Sequence, residues 1–171
     1  MPKRSRYNIY GTLQGTYKPT ALNQSGERKY QGRHDPTYRS SYEKQCFYLL
    51  EQNPGVRWWR SEATVIPYLS PIDRKRHSYY MDLTFEAIDK KTGLPQVYMI
   101  EVKPNSQTVP PVKTERQRAS TYVSACKRWA INVAKWNAAY DFAVNKGYKF
   151  YIWTELRMFE WKPLQASENG A

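Results

Sequence analysis

Asp82 and the triplet Glu101-Val102-Lys103 are the residues of this 171-residue chain whose types and spacing best suit chemistry. Two carboxylates and an ammonium on one face of a sheet are what a metal-dependent phosphodiesterase needs. Hard oxygen ligands suit Mg²⁺ or Mn²⁺, which keep several waters and bridge to phosphate oxygens. Such an ion polarises the phosphoryl group and makes a bound water more acidic. Asp82 and Glu101, with the Val102 carbonyl beside them, are the expected ligands. Lys103 is expected to orient the water and offset the charge developing on phosphorus. The competing reading is a surface cross-strand cluster in which Lys103 merely satisfies the acids, because three polar residues on the wet face of a hairpin are commonplace.

A hairpin must position these groups. Asp89-Lys90-Lys91-Thr92-Gly93 is a turn cluster between two stretches rich in β-branched and aromatic residues, Tyr79 to Ile88 and Gln96 to Lys103. If the loop centres between Lys91 and Thr92, Asp82 faces Glu101 across the ladder, and opposed residues share a face. Lys103 then points to the same side, whereas Met81, Leu83, Phe85, Ile100 and Val102 point to the other: one face core, one face chemistry. A slip of one residue would expose the whole apolar set. Opposed like charges need neutralising, which a divalent cation would do.

Upstream, Ser40-Ser41-Tyr42-Glu43 opens a helix that runs to about Gln52 and stops at Asn53-Pro54-Gly55, with Cys46, Phe47 and Leu50 on the face of Glu43. Glu43 is thus a candidate third acid, and equally a capping-box residue with Ser40. Val56 to Leu69 reads as a strand interrupted at Pro67. It leads to Ser70-Pro71-Ile72-Asp73-Arg74-Lys75-Arg76-His77, whose Arg74, Lys75 and Arg76 either hold a phosphate backbone or decorate an exposed turn. After Pro110-Pro111, helical spacing runs from about Thr114 to Asn145 and ends at Gly147, as one helix or two. Its aromatics fit packing on a sheet better than a Leu seam. The opposite face carries Lys127, Arg128 and Lys135, an extension of the basic surface or a solvated stripe. Tyr148 to Trp153 reads as a central strand, and the chain turns polar after Pro163.

Twenty-seven Lys and Arg against 15 Asp and Glu, a formal charge of +12, favour an anionic partner. No apolar run approaches the roughly 20 residues of a membrane span, and no signal peptide follows the first Met, so the protein is expected in the cytoplasm. Two histidines without metal-ligand spacing argue against zinc and against a Ser-His-Asp hydrolase. Cys46 and Cys126 read as small buried thiols. The first forty residues carry eight Lys and Arg against two acids, scattered tyrosines and no periodic apolar face. They read as an irregular arm, with Arg28, Lys29, Arg33 and Arg39 meeting phosphates, or as a solvated tail.

The order helix, strand, hairpin with the acids, long helix, strand makes an α/β layer with a mixed sheet flanked by helices. With Asp82, Glu101-Val102-Lys103 and the acid of Ser40-Ser41-Tyr42-Glu43 in that order, the chain resembles the PD-(D/E)XK nuclease superfamily. Met81 stands where the motif's proline would be, and no Gln-x-x-x-Tyr follows Lys103. Tyr38-Arg39-Ser40-Ser41-Tyr42-Glu43, Ile100-Glu101-Val102-Lys103-Pro104, Asn132-Val133-Ala134-Lys135-Trp136 and Phe150-Tyr151-Ile152-Trp153-Thr154-Glu155 resemble the head-completion nucleases of tailed bacteriophages and, more distantly, the endonucleases that cut transposon ends. The resemblance implies a restriction-endonuclease-like core, with residues 1–37 a basic arm, 38–163 one nuclease-like domain and 164–171 a polar tail. It implies a Mg²⁺- or Mn²⁺-dependent DNA endonuclease acting after packaging in the infected bacterial cytoplasm or with the virion. Asp82, Glu101 and Glu43 would be metal ligands, Lys103 catalytic, and DNA and portal or head-tail connector proteins the partners. The rival from another class is a non-catalytic DNA- and portal-binding connector protein with a vestigial site.

Overall fold

The computed structural model describes residues 13–163. Two short strands, β1 (Gly15–Thr16) and β2 (Thr37–Tyr38), precede α1 (Ser41–Gln52). Then come β3 (Val56–Ser61), β4 (Val65–Leu69), β5 (Arg76–Tyr80), β6 (Leu83–Ile88) and β7 (Pro95–Val102). A 3₁₀ turn at Asn105–Gln107 leads to α2 (Ala119–Lys146), β8 (Lys149–Trp153) and β9 (Met158–Glu160). The central sheet has five strands in the order β3-β6-β7-β8-β9, while β4 and β5 form a separate two-stranded ribbon. The β7–β8 pair is parallel and the other pairs of that sheet are antiparallel. A parallel pair needs a long crossover. The 28 residues of α2 supply it, as one helix.

The acid-bearing hairpin folds in the register its turn implies, with Leu83 opposite Ile100 and Thr84 opposite Met99. Asp89 Oδ1 accepts from the Lys91 and Thr92 amides, and Gly93 takes the left-handed φ of 68° that closes the loop. The arms differ from expectation in one respect that matters. Tyr79 to Ile88 is two strands, because β5 pairs with β4 whereas β6 pairs with β3 and β7. Between them the Met81 amide donates to Thr64 O at 2.9 Å, and Glu62, at φ 51°, donates its amide to Met81 O at 3.1 Å. Asp82 sits at this break. The expected interruption at Pro67 lies instead at Glu62 to Thr64, and Pro67 is tolerated inside β4 because that strand has a neighbour on one side only.

Nor is one face of the sheet left free. Leu83, Ile100, Val56 and Trp59 are buried together with Cys46, Phe47 and Leu50 of α1. Met99, Phe150 and Ile152 are buried on the other side against Trp136, Ala139 and Ala143 of α2, together with Met81 and Tyr79. Met81 therefore lies on the face opposite Leu83, and the break changes the parity of the strand. The first turns of the long periodic pattern do not reach the core: α2 begins at Ala119, after a turn around Thr114 to Gln117, and Ala119 is exposed. Gly147 ends the helix at φ 70°, its amide donating to Ala143 O and Val144 O. β9, absent from the sequence reading, closes the sheet beside β8.

Residues 13–37 are bound to the domain rather than trailing from it, and one expected DNA contact is corrected here. Lys29 is buried, its Nζ donating to Glu51 O at 2.9 Å and Asn53 O at 2.7 Å. The last turn of α1 has no basic residue of its own, so its carbonyls draw the ammonium in. Glu51 completes the clasp by accepting from the amides of Thr20 and Ala21 at 2.8 Å each and from Trp59 Nε1 at 2.7 Å. Lys29 O and the Gln31 amide then pair with the backbone of Trp59, covering the outer edge of β3. Removing Glu51 leaves a buried indole N–H and two backbone amides without an acceptor, at about 1–3 kcal/mol for a buried donor. Glu51→Ala is expected to cost roughly 3 kcal/mol and lower the melting temperature by about 6–12 °C. A melting curve unchanged within a degree would show that the clasp contributes nothing. The rest of the expected arm, with Lys3, Arg4, Arg6, Tyr7 and Tyr10, and the tail 164–171 lie outside the described residues.

Candidate metal-dependent active site

Asp82, Glu101 and Lys103 come together where the β5–β6 break meets the end of β7. Asp82 Oδ2 accepts from the Val102 amide at 2.8 Å, which fixes the carboxylate beside the strand that carries the other two groups. Lys103 Nζ lies 3.0 Å from Glu101 Oε1. Glu101 is only 3 % exposed, far from the wet surface expected of a solvated cross-strand cluster. The backbone holds Lys103 too, its amide donating to Trp153 O on β8.

Burial and the neighbouring Glu101 push the Asp82 carboxyl well above its ordinary range, although the Val102 amide and Lys103 pull the other way. For Lys103, burial is the largest single influence and lowers its pKa. The combined pull of Glu101, Asp82 and Glu43 outweighs it, so the ammonium is held above its usual range. The site is therefore short of positive charge: two crowded carboxylates share one cation. Its donors are hard oxygens, and Asp82 has a second oxygen without a hydrogen bond among the described residues. That donor set fits a small divalent cation, which needs only one or two carboxylates and keeps water elsewhere in its shell.

Glu43 takes the capping role that its spacing allowed. Its amide donates to Ser40 Oγ at 3.1 Å, and its Oε2 accepts from the Arg39 amide at 2.7 Å, one residue earlier than a standard capping box. It is also near enough to the site to act on the ionisation of Asp82 and Lys103. Burial raises its own pKa, partly offset by the Arg39 amide. It does not complete a cage: among the described residues no three His, Cys, Asp or Glu side chains lie close enough to share an ion. The Cys46 thiol, pushed up to about 12 by burial and then by Asp82 and Glu43, is an inert neighbour.

Two residues were missed. Tyr79 is buried, and its hydroxyl donates to Glu101 Oε2 at 2.5 Å. Burial, Glu101 and Asp82 raise its pKa well above 10, so the phenol remains a donor that fixes the Glu101 carboxylate. Lys135 of α2 is half-buried, with Nζ 5.6 Å from the Tyr68 ring centroid and 5.5 Å from that of Tyr79. This cation is held by two aromatic faces next to the site, not in a solvated stripe with Lys127 and Arg128. The spacing Asn132-Val133-Ala134-Lys135-Trp136 was a signal for it, since Lys135 precedes the most deeply buried aromatic of the helix.

The other expected DNA contacts are spread over the surface. Arg74, Lys75 and Arg76 are exposed at the tip of the β4–β5 ribbon, and Arg33 is exposed on the N-terminal segment. Arg28 is exposed but donates to Pro19 O at 2.7 Å. Arg39 forms an ion pair with Glu62, beside Glu43.

Residues 53–155 match the family model described as TnsA-like endonuclease N terminal. The match includes Asp82, Glu101 and Lys103 and begins after Glu43. The chain is also 38 % identical, over 133 residues, to the head completion nuclease of Enterobacteria phage T4, an alignment covering 74 % of this chain and 84 % of that protein. Both are relatives that the motifs of this sequence resemble, and the mixed sheet flanked by helices is the restriction-endonuclease-like fold expected from them.

Proposed function

From its membership we propose a function for this chain, which belongs to the TnsA-like endonuclease family: it is a metal-dependent DNA endonuclease acting in phage head completion. The observation that carries the reading is the convergence of Asp82, Glu101 and Lys103 on a buried site with too little positive charge. Asp82 and Glu101, with the Val102 carbonyl, would hold Mg²⁺ or Mn²⁺. When bound, the ion would neutralise phosphoryl oxygens and acidify a water.

The chain's own residues do the rest. Tyr79 holds Glu101 in one orientation, and the Val102 amide does the same for Asp82. Lys103 donates towards the attacking water and the phosphoryl oxygens. Glu43, outside direct reach, acts through a water as an auxiliary acid. Arg28, Arg33, Arg39, Arg74, Lys75 and Arg76 grip the backbone of the DNA. The similarity to a head completion nuclease supports a role at the packaged DNA end, with portal or head-tail connector proteins as docking partners and the host cytoplasm or the virion as location. No helix among the described residues is long and apolar enough to cross a membrane.

Supercoiled plasmid incubated with the purified chain tests this reading. Nicked or linear product is expected with Mg²⁺ or Mn²⁺, and none with EDTA. Cleavage that persists in EDTA would remove the metal. Retention of plasmid without cleavage, both for the free protein and for protein docked on packaged heads, would leave the rival connector protein with a vestigial site.

A further inference from the structure

We infer that the β4–β5 ribbon lies in the major groove of duplex DNA and makes the duplex, rather than a single strand, the substrate; this rests on the DNA reading above. The inner face of the ribbon is spoken for: Ile66 and Tyr79 are buried against α2, with Tyr68 packed beside them. The outer face has no partner among the described residues. Register places Val65 opposite Tyr80, Pro67 opposite Ser78 and Leu69 opposite Arg76, and all six are exposed. Leu69 is 63 % and Tyr80 55 % exposed, an unusual display of apolar surface for a strand face.

What covers that face is indicated by charge. The loop at the tip carries Arg74, Lys75 and Arg76, and its one acid, Asp73, is occupied by His77 Nε2 at 2.8 Å and by the Lys75 amide at 3.1 Å. Backbone bonds from Ser70 to Lys75 and from Arg74 to Ser70 hold the loop, so the three cations are presented from a fixed frame. An apolar strip with three cations at its tip suits a groove, where bases and thymine methyl groups form the floor and phosphates the walls. A major groove about 12 Å wide admits a two-stranded ribbon as it stands, whereas a minor groove about 6 Å wide must first be widened at a cost in deformation energy. A single strand offers no such walls.

The ribbon is also connected to the chemistry. β5 ends two residues before Asp82, and six residues of chain from Arg76, even fully extended, span at most about 20 Å. At about 3.4 Å per base pair, the tip then falls within roughly six base pairs of the scissile phosphate.

Binding is measured by fluorescence anisotropy at several salt concentrations, with every protein carrying Asp82→Ala so that nothing is cut. The probes are a duplex of about 30 base pairs, three helical turns, and one of its strands alone. Arg74→Ala/Lys75→Ala/Arg76→Ala is expected to weaken duplex binding about 100-fold and to reduce the logarithmic salt slope by about 3. Leu69→Ser/Tyr80→Ser is expected to weaken duplex binding about tenfold with the slope kept, and to leave single-strand binding unchanged. Methylation of guanine N7, which lines the major groove, is expected to weaken duplex binding by the parent. Thermal melts equal to the parent's confirm that these surface variants fold. Equal affinity of the parent for both probes, or duplex affinity untouched by either variant, overturns the inference. The second result would assign the ribbon to a protein partner. Because nothing is cut in these measurements, they stand or fall apart from the metal chemistry.

Discussion

Asp82→Ala is expected to abolish plasmid cleavage, lowering the rate by at least about 10³-fold, or some 4 kcal/mol, while DNA affinity stays level or rises. The rate falls because Asp82 brings one of the two carboxylates available to an ion. Affinity does not fall, because an anionic group next to phosphate is removed. Alanine has a side effect that must be separated: it strips the Val102 amide of its acceptor. Asp82→Asn keeps an oxygen for that amide and loses the charge, so equal inactivity of both variants assigns the loss to ligation rather than to a displaced strand.

The raised Asp82 pKa adds a signature in stability. Its folded pKa lies above its ordinary value, so the group's contribution to stability is present at low pH and is lost as pH rises from the usual aspartate range through the folded pKa. At neutral pH this carboxylate destabilises the metal-free fold. Asp82→Asn is therefore expected to melt higher than the parent in EDTA, and Mg²⁺ to raise the melting point of the parent but not of the variant. Normal cleavage by either variant at saturating Mg²⁺ would end the assignment.

Most of the site was legible because a tight turn and strict alternation leave a hairpin little freedom. Asp89 to Gly93 set the pairing up to Leu83 and Ile100, and that brings Asp82, the next residue, beside the end of β7 that carries Glu101. What could not be read was decided by partners distant in sequence. An unbroken strand would put Tyr79 on the Leu83 face, away from Glu101. Only the exchange of partners between β5 and β6, which local composition does not reveal, turns it towards the carboxylate. Lys29 looked like a phosphate contact because a lysine among polar residues normally stays wet. The carbonyls that bury it belong to a helix end more than twenty residues later. Burial of the second sheet face follows from α2, whose contact surface the periodic pattern placed a few turns too early.

Lys103→Met is the other large effect expected: cleavage about 10²- to 10³-fold slower at saturating Mg²⁺, with DNA binding little changed. Methionine keeps most of the half-buried stem and deletes the ammonium that sits 3.0 Å from Glu101. The acids hold that ammonium above its ordinary pKa, so it acts as a fixed cation near neutral pH and has no proton to gain as a general base. Activity is accordingly expected to show no alkaline-rising limb attributable to Lys103. Lys103→Arg retains the charge but presents a planar fork where a point donor is required, and should recover only part of the rate. A purely structural lysine predicts a different pattern. Lys103→Met would then lower the melting temperature in EDTA, and Mg²⁺, by neutralising Asp82 and Glu101, would restore stability and cleavage together. Recovery of stability without recovery of rate is the outcome that places Lys103 at the reacting phosphate.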